Sequence, residues 1–123
     1  MNSLIETIFQ NFTVDNIEIP VSFMRYNGKS TTYITYQLEN MDNGYGGDDE
    51  LLGWVDYYDI DIYSKGNYLN IVKSVKNVMK QNGFMYQPSR SSADMYEDDT
   101  GYYHRTLNFA IERQENEVIT PSL

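Results

Sequence analysis

The fold is decided by residues 54–83, WVDYYDIDIYSKGNYLNIVKSVKNVMKQNG, because one spacing of apolar residues gives way to another within this stretch. Apolar residues first recur at every second position, which predicts a strand with one buried face. They then recur at steps of three and four, which predicts a helix over about 67–82. Gly83 follows, and glycine can adopt the left-handed conformation that ends a helix. The alternate residues expected on the buried face of the strand are Tyr58, Ile60 and Ile62.

The residues before this stretch predict a short helix, a hairpin and a loop. Apolar residues at helical spacing within 2–12 predict a short N-terminal helix. The alternation over 17–38 surrounds Asn27 and Gly28, a dipeptide that favours tight hairpin turns, and therefore predicts a β-hairpin. The segment from Glu39 to Gly53 contains four glycines and a run of acidic residues, which predicts a mobile loop.

The residues after the stretch predict two more strands. One begins at Phe84 and the other runs from Tyr103 to Glu112, with a polar bend between them. Together the elements predict an α+β fold with a mostly antiparallel sheet of about four to five strands. One long helix (about 67–82) and a short N-terminal helix are expected to pack on this sheet. Residues 1–115 are predicted to form a single α+β domain and residues 116–123 a loose C-terminal tail.

Composition argues against several classes of function. The chain has 18 acidic and 9 basic residues and a formal net charge of -9, so a nucleic-acid backbone would be repelled. It contains no cysteine, which excludes disulfides and thiolate chemistry. No stretch approaches the roughly 20 apolar residues that cross a bilayer, so no membrane partner is expected. The 12 tyrosines are of a type that protein interfaces favour.

The chain shows no recognisable catalytic or cofactor motif. Asp56, Asp59 and Asp61 lack the spacing of metal ligands, and strand alternation directs Asp56 away from the other two. His104 is the only histidine, and it has no cysteine or nucleophilic serine motif to act upon. We therefore expect no enzyme activity, no metal and no cofactor.

Two features predict protein binding instead. The outward side of the strand over 54–63 carries two tyrosines and two aspartates, and His104 lies on the polar side of the last strand. The glycine-rich segment adds an acidic run that can order against a partner. The predicted interface residues are Asp48, Asp49, Glu50, Tyr57, Asp59, Asp61, Tyr63 and His104.

A succession of short phrases over about 21–113 carries a family resemblance. The phrases are TYITYQLE from Thr32, the pair Asp48 and Asp49, YDIDIYS over 58–64, and YEDDTGYYH over 96–104 leading into NFAIE. In this order they resemble the small tail-completion proteins of long-tailed bacteriophages, the tail terminator group.

The resemblance implies a subunit of the virion that is assembled in the host cytoplasm and lies at the head-proximal end of the tail. Such a subunit forms a homo-hexameric ring, caps the tail tube, ends its polymerisation and binds a head-completion or connector protein. DNA passes through the ring without specific binding, and an acidic chain suits this passage. By analogy, the loop from Glu39 to Gly53 would be flexible in the free subunit and order against the tail tube protein, with Asp48, Asp49 and Glu50 at the contact.

Three alternatives stay open on the sequence. The first is another head-tail connector, such as a head-closure or tail-tube subunit. The second is an inhibitor whose acidic surface mimics nucleic acid to block a basic partner. The third is a small metal-dependent or hydrolytic enzyme built on the three strand aspartates, which their alternation disfavours.

Overall fold

The computed structural model describes residues 2–47 and 50–114. Most of the regular structure is strand. The elements are α1 (Asn2–Ile8), β1 (Thr13–Val14), β2 (Ile17–Glu18), β3 (Val21–Phe23), β4 (Thr32–Gly47), β5 (Glu50–Ser64), α2 (Leu69–Gln81), β6 (Met85–Tyr86), a 3-10 turn (Pro88–Arg90), β7 (Met95–Glu97) and β8 (Tyr102–Gln114).

One six-stranded sheet organises the chain. Its strand order is β3-β4-β5-β8-β6, and β7 pairs with β8 beside β6. The three long strands β4, β5 and β8 pair antiparallel, whereas the short β3 runs parallel to β4. β1 and β2 form a separate two-stranded sheet. The outer positions of the main sheet are therefore held by short strands, β3 on one side and β6 and β7 on the other.

The predicted fold class is wrong. The chain is mostly sheet with two short helices, so an α+β fold with one long helix over about 67–82 does not describe it. α2 spans 13 residues and begins at Leu69, with Tyr68 as its N-cap residue, and the Asn67 side chain just before it accepts a hydrogen bond from the Leu69 amide. The sheet has six strands and includes a parallel pair, not four to five mostly antiparallel strands. The predicted tail at 116–123 lies outside the described residues.

The predicted hairpin over 17–38 is also wrong. The chain turns back directly after β3, where Met24 has a φ of 65° and its amide donates to the Tyr36 carbonyl. β3 and β4 consequently run parallel, with Val21 opposite Ile34. Asn27 and Gly28 lie in the connecting segment and do not join two adjacent antiparallel strands. The local turn preference of Asn27 and Gly28 is weaker than the stabilisation that β4 gains by pairing with β5.

The segment from Glu39 to Gly53 is not a loop but the outer part of a long β4–β5 hairpin. Tyr45 lies opposite Gly53, and register shifts at three points absorb the irregular spacing of side chains. Strand pairing gives the backbone N–H and C=O groups of this glycine-rich stretch hydrogen-bond partners, and it does not require a buried side chain at every position. Asp48 and Asp49, between the two strands, lie outside the described residues.

The core lies on one face of the sheet, under both helices. α1 contributes Ile5, α2 contributes Val75 and Met79, and all three are fully buried. α2 ends as its glycine predicts. Gly83 has a φ of 89°, and its amide donates to the Lys80 carbonyl. The amide of the next residue, Phe84, donates to the Met79 carbonyl. This hydrogen-bond pair is a Schellman motif, which glycine favours because it has no Cβ to clash. The sheet residues beneath the helices include Ile34, Tyr36, Ile60, Ile62, Leu107 and Phe109.

Candidate protein-interaction surfaces

The face of the sheet opposite the helices carries three strands of polar and aromatic side chains. Because residues paired across strands point to the same side, β4, β5 and β8 arrange these side chains in rows. One row is aromatic, the next contains hydroxyl and carboxylate groups, and the third contains amides. The rows are Tyr33–Tyr63–His104, Thr35–Asp61–Thr106 and Gln37–Asp59–Asn108.

The aromatic row is a continuous stack of four rings. Tyr26 stacks on Tyr33 with ring centroids 4.6 Å apart, Tyr33 on Tyr63 at 4.8 Å, and Tyr63 on His104 at 4.1 Å. Burial, and then the charge of Asp61, raises the pKa of Tyr63 to about 12, so this hydroxyl is neutral at physiological pH. The stack therefore extends from Tyr26, in the segment after β3, to His104 on β8.

The middle row centres on the buried carboxylate of Asp61. Its Oδ1 accepts hydrogen bonds from the Thr106 hydroxyl and from His104 Nε2, the latter at 3.1 Å. A catalytic triad places the hydroxyl and the carboxylate on different nitrogens of the histidine. Here one nitrogen faces both groups, with the Thr106 hydroxyl 3.5 Å from it. This geometry orders the surface and does not activate the hydroxyl as a nucleophile.

The third row is organised by a fully buried amide. Asn108 Nδ2 donates to Asp59 Oδ1 at 2.8 Å and to Glu39 Oε1 at 3.2 Å. Burial raises the pKa of Asp59, and the Asn108 hydrogen bond opposes this shift by favouring the ionised form. Arg90 covers the cluster, since its guanidinium lies 3.0 Å from Glu39 and 3.8 Å from the centroid of the Tyr57 ring.

Five of the eight predicted interface residues lie on this one face, each held by partners within the chain. They are Tyr57, Asp59, Asp61, Tyr63 and His104. Glu50 begins β5 at the far end of the strand, whereas Asp48 and Asp49 lie outside the described residues. A role of these eight residues in binding stays a prediction.

The three strand aspartates do not form a single site. Asp56 is buried on the helix side of the sheet, and this burial raises its pKa, whereas Asp59 and Asp61 lie on the opposite face. Within residues 2–47 and 50–114, no three histidine, aspartate or glutamate side chains are grouped as a metal ion would require. The prediction that strand alternation directs Asp56 away from Asp59 and Asp61 is confirmed.

Exposed apolar side chains gather at one edge of the sheet, which we term the β3-edge patch. It consists of residues on β3, the turn after it and β4, and their exposed fractions lie between 43% and 59%. A shallow cavity of about 510 Å³ opens between three of them and Tyr58. The members of the β3-edge patch are Phe23, Met24, Leu38 and Met41.

A second group lies at the other edge, and we term it the β7-edge patch. It consists of Met95, Tyr96 and Tyr103, whose exposed fractions lie between 41% and 54%. Tyr103 packs against Tyr96, with ring centroids 4.9 Å apart, and stacks on Tyr68 at 6.2 Å. β3 and β7 are separated by four strand spacings, or roughly 19 Å.

Sequence reasoning missed both edge patches. Phe23 and Leu38 continue the alternation that places their neighbours in the core, so no local signal marks them as exposed. They are exposed because neither side chain belongs to the core that the two helices cover. Only the strand order shows which apolar residues lie outside the part of the sheet that the helices cover.

None of the helices in the described ranges is long and apolar enough to span a bilayer. Comparison with protein-family models and with curated protein sequences gives no match.

Proposed function

We propose that the chain is a structural subunit of a bacteriophage tail. In this proposal six copies form a ring on the head-proximal end of the tail tube, stop tube growth and present a surface to a head-completion or connector protein. The chain acts by binding proteins and not by catalysis.

The observation that carries this proposal is the pair of exposed apolar patches at opposite edges of one sheet. A subunit of a cyclic ring needs two different surfaces, one for each neighbour, because the contact repeats head to tail around the axis. Tyrosine and methionine are enriched in protein interfaces, and both patches contain such residues. Exposed apolar patches of this kind are typical of association sites.

Charge and surface order support the same function. With a net charge of -9 the chain repels DNA, which suits a ring through which DNA must slide. The row of stacked rings and the Asn108 cluster fix the helix-free face in one conformation. A rigid face loses little side-chain entropy when it binds a neighbouring protein.

Patches at two opposite edges of the sheet also suit a tail-tube subunit or a head-closure subunit, since both form rings. The tube subunit differs in one respect, because it adds to its own ends without limit. The proposed terminator binds a tube end and leaves no surface for the next tube ring.

Mixing the purified chain with polymerising tail tube protein tests this function. We expect tubes whose length stops increasing after the chain is added, with extra density at one end in negative-stain images. Bovine serum albumin at equal concentration is the control. Tubes that lengthen by incorporating the chain would instead identify a tube subunit and contradict the terminator function.

A further inference from the structure

The two edges of the sheet carry opposite charge. The segment 24–31, which follows β3, contains Arg25 and Lys29 and no acidic residue, and both side chains are exposed. Across the described part of the chain neither cation has an ion-pair partner. The segment 94–99, which contains β7, has four acidic residues and no basic one. Its members are Asp94, Glu97, Asp98 and Asp99.

Two of the four acidic residues are free to meet a partner, because the Glu97 carboxylate accepts a hydrogen bond from the Thr100 hydroxyl and Asp94 is also engaged. Asp94 is engaged, because Arg105 lies 3.7 Å away and the Tyr68 hydroxyl donates to it. Asp98 and Asp99 are exposed, and in the described ranges neither makes an ion pair. In a chain with a net charge of -9, a second copy would be repelled by most of the surface, and the exposed cations of the segment 24–31 and of α2 are among the exceptions.

The cationic and the acidic segment reach the same row of the sheet. Tyr26 in the cationic segment stacks on Tyr33, and the row continues through Tyr63 and His104 to Met95 on β7. A contact between the ends of this row moves each copy sideways with little shift along the strands. Such a contact favours closure into a ring over growth into a helical filament.

Both edges of the sheet are open to a neighbour. Within the described residues, β3 pairs only with β4 and β7 only with β8, so each strand keeps one unpaired side.

We propose that the cationic segment 24–31 of one copy contacts the acidic segment 94–99 of the next, with Arg25 and Lys29 meeting Asp98 and Asp99 across the contact. The occupant of each edge is a second copy of this chain, so the contact rests on the proposed self-association. Contacts between two like edges would set cation against cation or acid against acid. Met24 and Met95, which belong to these two segments and are exposed, supply apolar contact.

Charge reversal tests the contact by sedimentation velocity over a concentration series. We expect R25E/K29E and D98K/D99K each to weaken association by about tenfold or more, because two attractive pairs become repulsive. The variant with all four changes keeps the wild-type net charge and is expected to regain association. A mixture of the two reversed variants is expected to associate as well.

The matched control is K73E/K80E, which changes the net charge as R25E/K29E does but on the exposed side of α2. It is expected to associate like the wild type apart from a uniform charge effect. A zero-length carbodiimide cross-linker adds a direct readout, since it joins a lysine amine to a carboxylate in contact. We expect cross-links from Lys29 to Asp98 or Asp99 between differently isotope-labelled copies.

The outcomes separate the two proposals. If the wild type associates but the edge variants weaken no more than K73E/K80E, the contact between segments 24–31 and 94–99 is wrong and self-association stands. If the wild type stays monomeric throughout the series and yields no intermolecular cross-link, self-association fails and the contact fails with it.

Discussion

Ile60→Ala is expected to lower the free energy of unfolding by about 2–5 kcal/mol. Ile60 lies on the central strand β5, is 0% exposed and belongs to the core under both helices. Its truncation removes buried methylene groups and leaves a cavity that two flanking strands cannot close, because their register is fixed on both sides. In a single small domain this loss is a large fraction of the total stability.

Urea unfolding followed by far-ultraviolet circular dichroism measures the effect. The matched control is Ile17→Ala, because Ile17 is the same residue type in a strand but is 63% exposed. We expect the control to change the free energy of unfolding by less than about 0.5 kcal/mol. Equal losses in the two variants would show that β5 is not the centre of the core.

Asn108→Ala is expected to lower the free energy of unfolding by about 2–4 kcal/mol at neutral pH. The substitution removes the donor to both Asp59 and Glu39. Two carboxylates then face each other beneath Arg90 without the amide between them. The loss is large for a polar residue, because a partly buried charge is left without its hydrogen bond.

The pH dependence of this loss distinguishes it from a packing defect. The Asn108 hydrogen bond favours ionised Asp59, so its removal raises the pKa of Asp59 further above the usual range. The variant therefore binds that proton more tightly when folded, and acidification recovers part of its lost stability. Asn77→Ala, on the exposed side of α2, is the control and is expected to be nearly neutral. A loss that does not change with pH would contradict the role given to Asp59.

Local patterns predicted the faces of strands better than their partners. The alternation over 54–63 correctly separated buried Ile60 from the opposite face, because a strand side chain has only two directions to take. The spacing after it located a helix, but α2 is shorter than expected and most of the chain is sheet. Periodicity reports which side of an element is apolar and does not report which strand lies next to it.

The errors came from pairing between distant residues. Asn27 and Gly28 favour a tight turn locally, but the alternating residues of β4 gain far more by pairing with β5 along the whole strand. The glycines between Glu39 and Gly53 predicted a loop, because the sequence shows the conformational freedom of glycine. It does not show the hydrogen bonds that this segment forms between β4 and β5. The candidate surface shows the same limit, since the β3-edge and β7-edge patches exist only once the strand order is known.

The proposed function depends on assembly of this chain into a closed ring through two different edges of one sheet. Multi-angle light scattering coupled to gel filtration tests this assembly most directly, with negative-stain imaging of the same fractions. We expect a discrete species of six times the chain mass that appears as a ring with a central channel. A species that stays monomeric at every concentration, or a two-fold dimer with no channel, would contradict it.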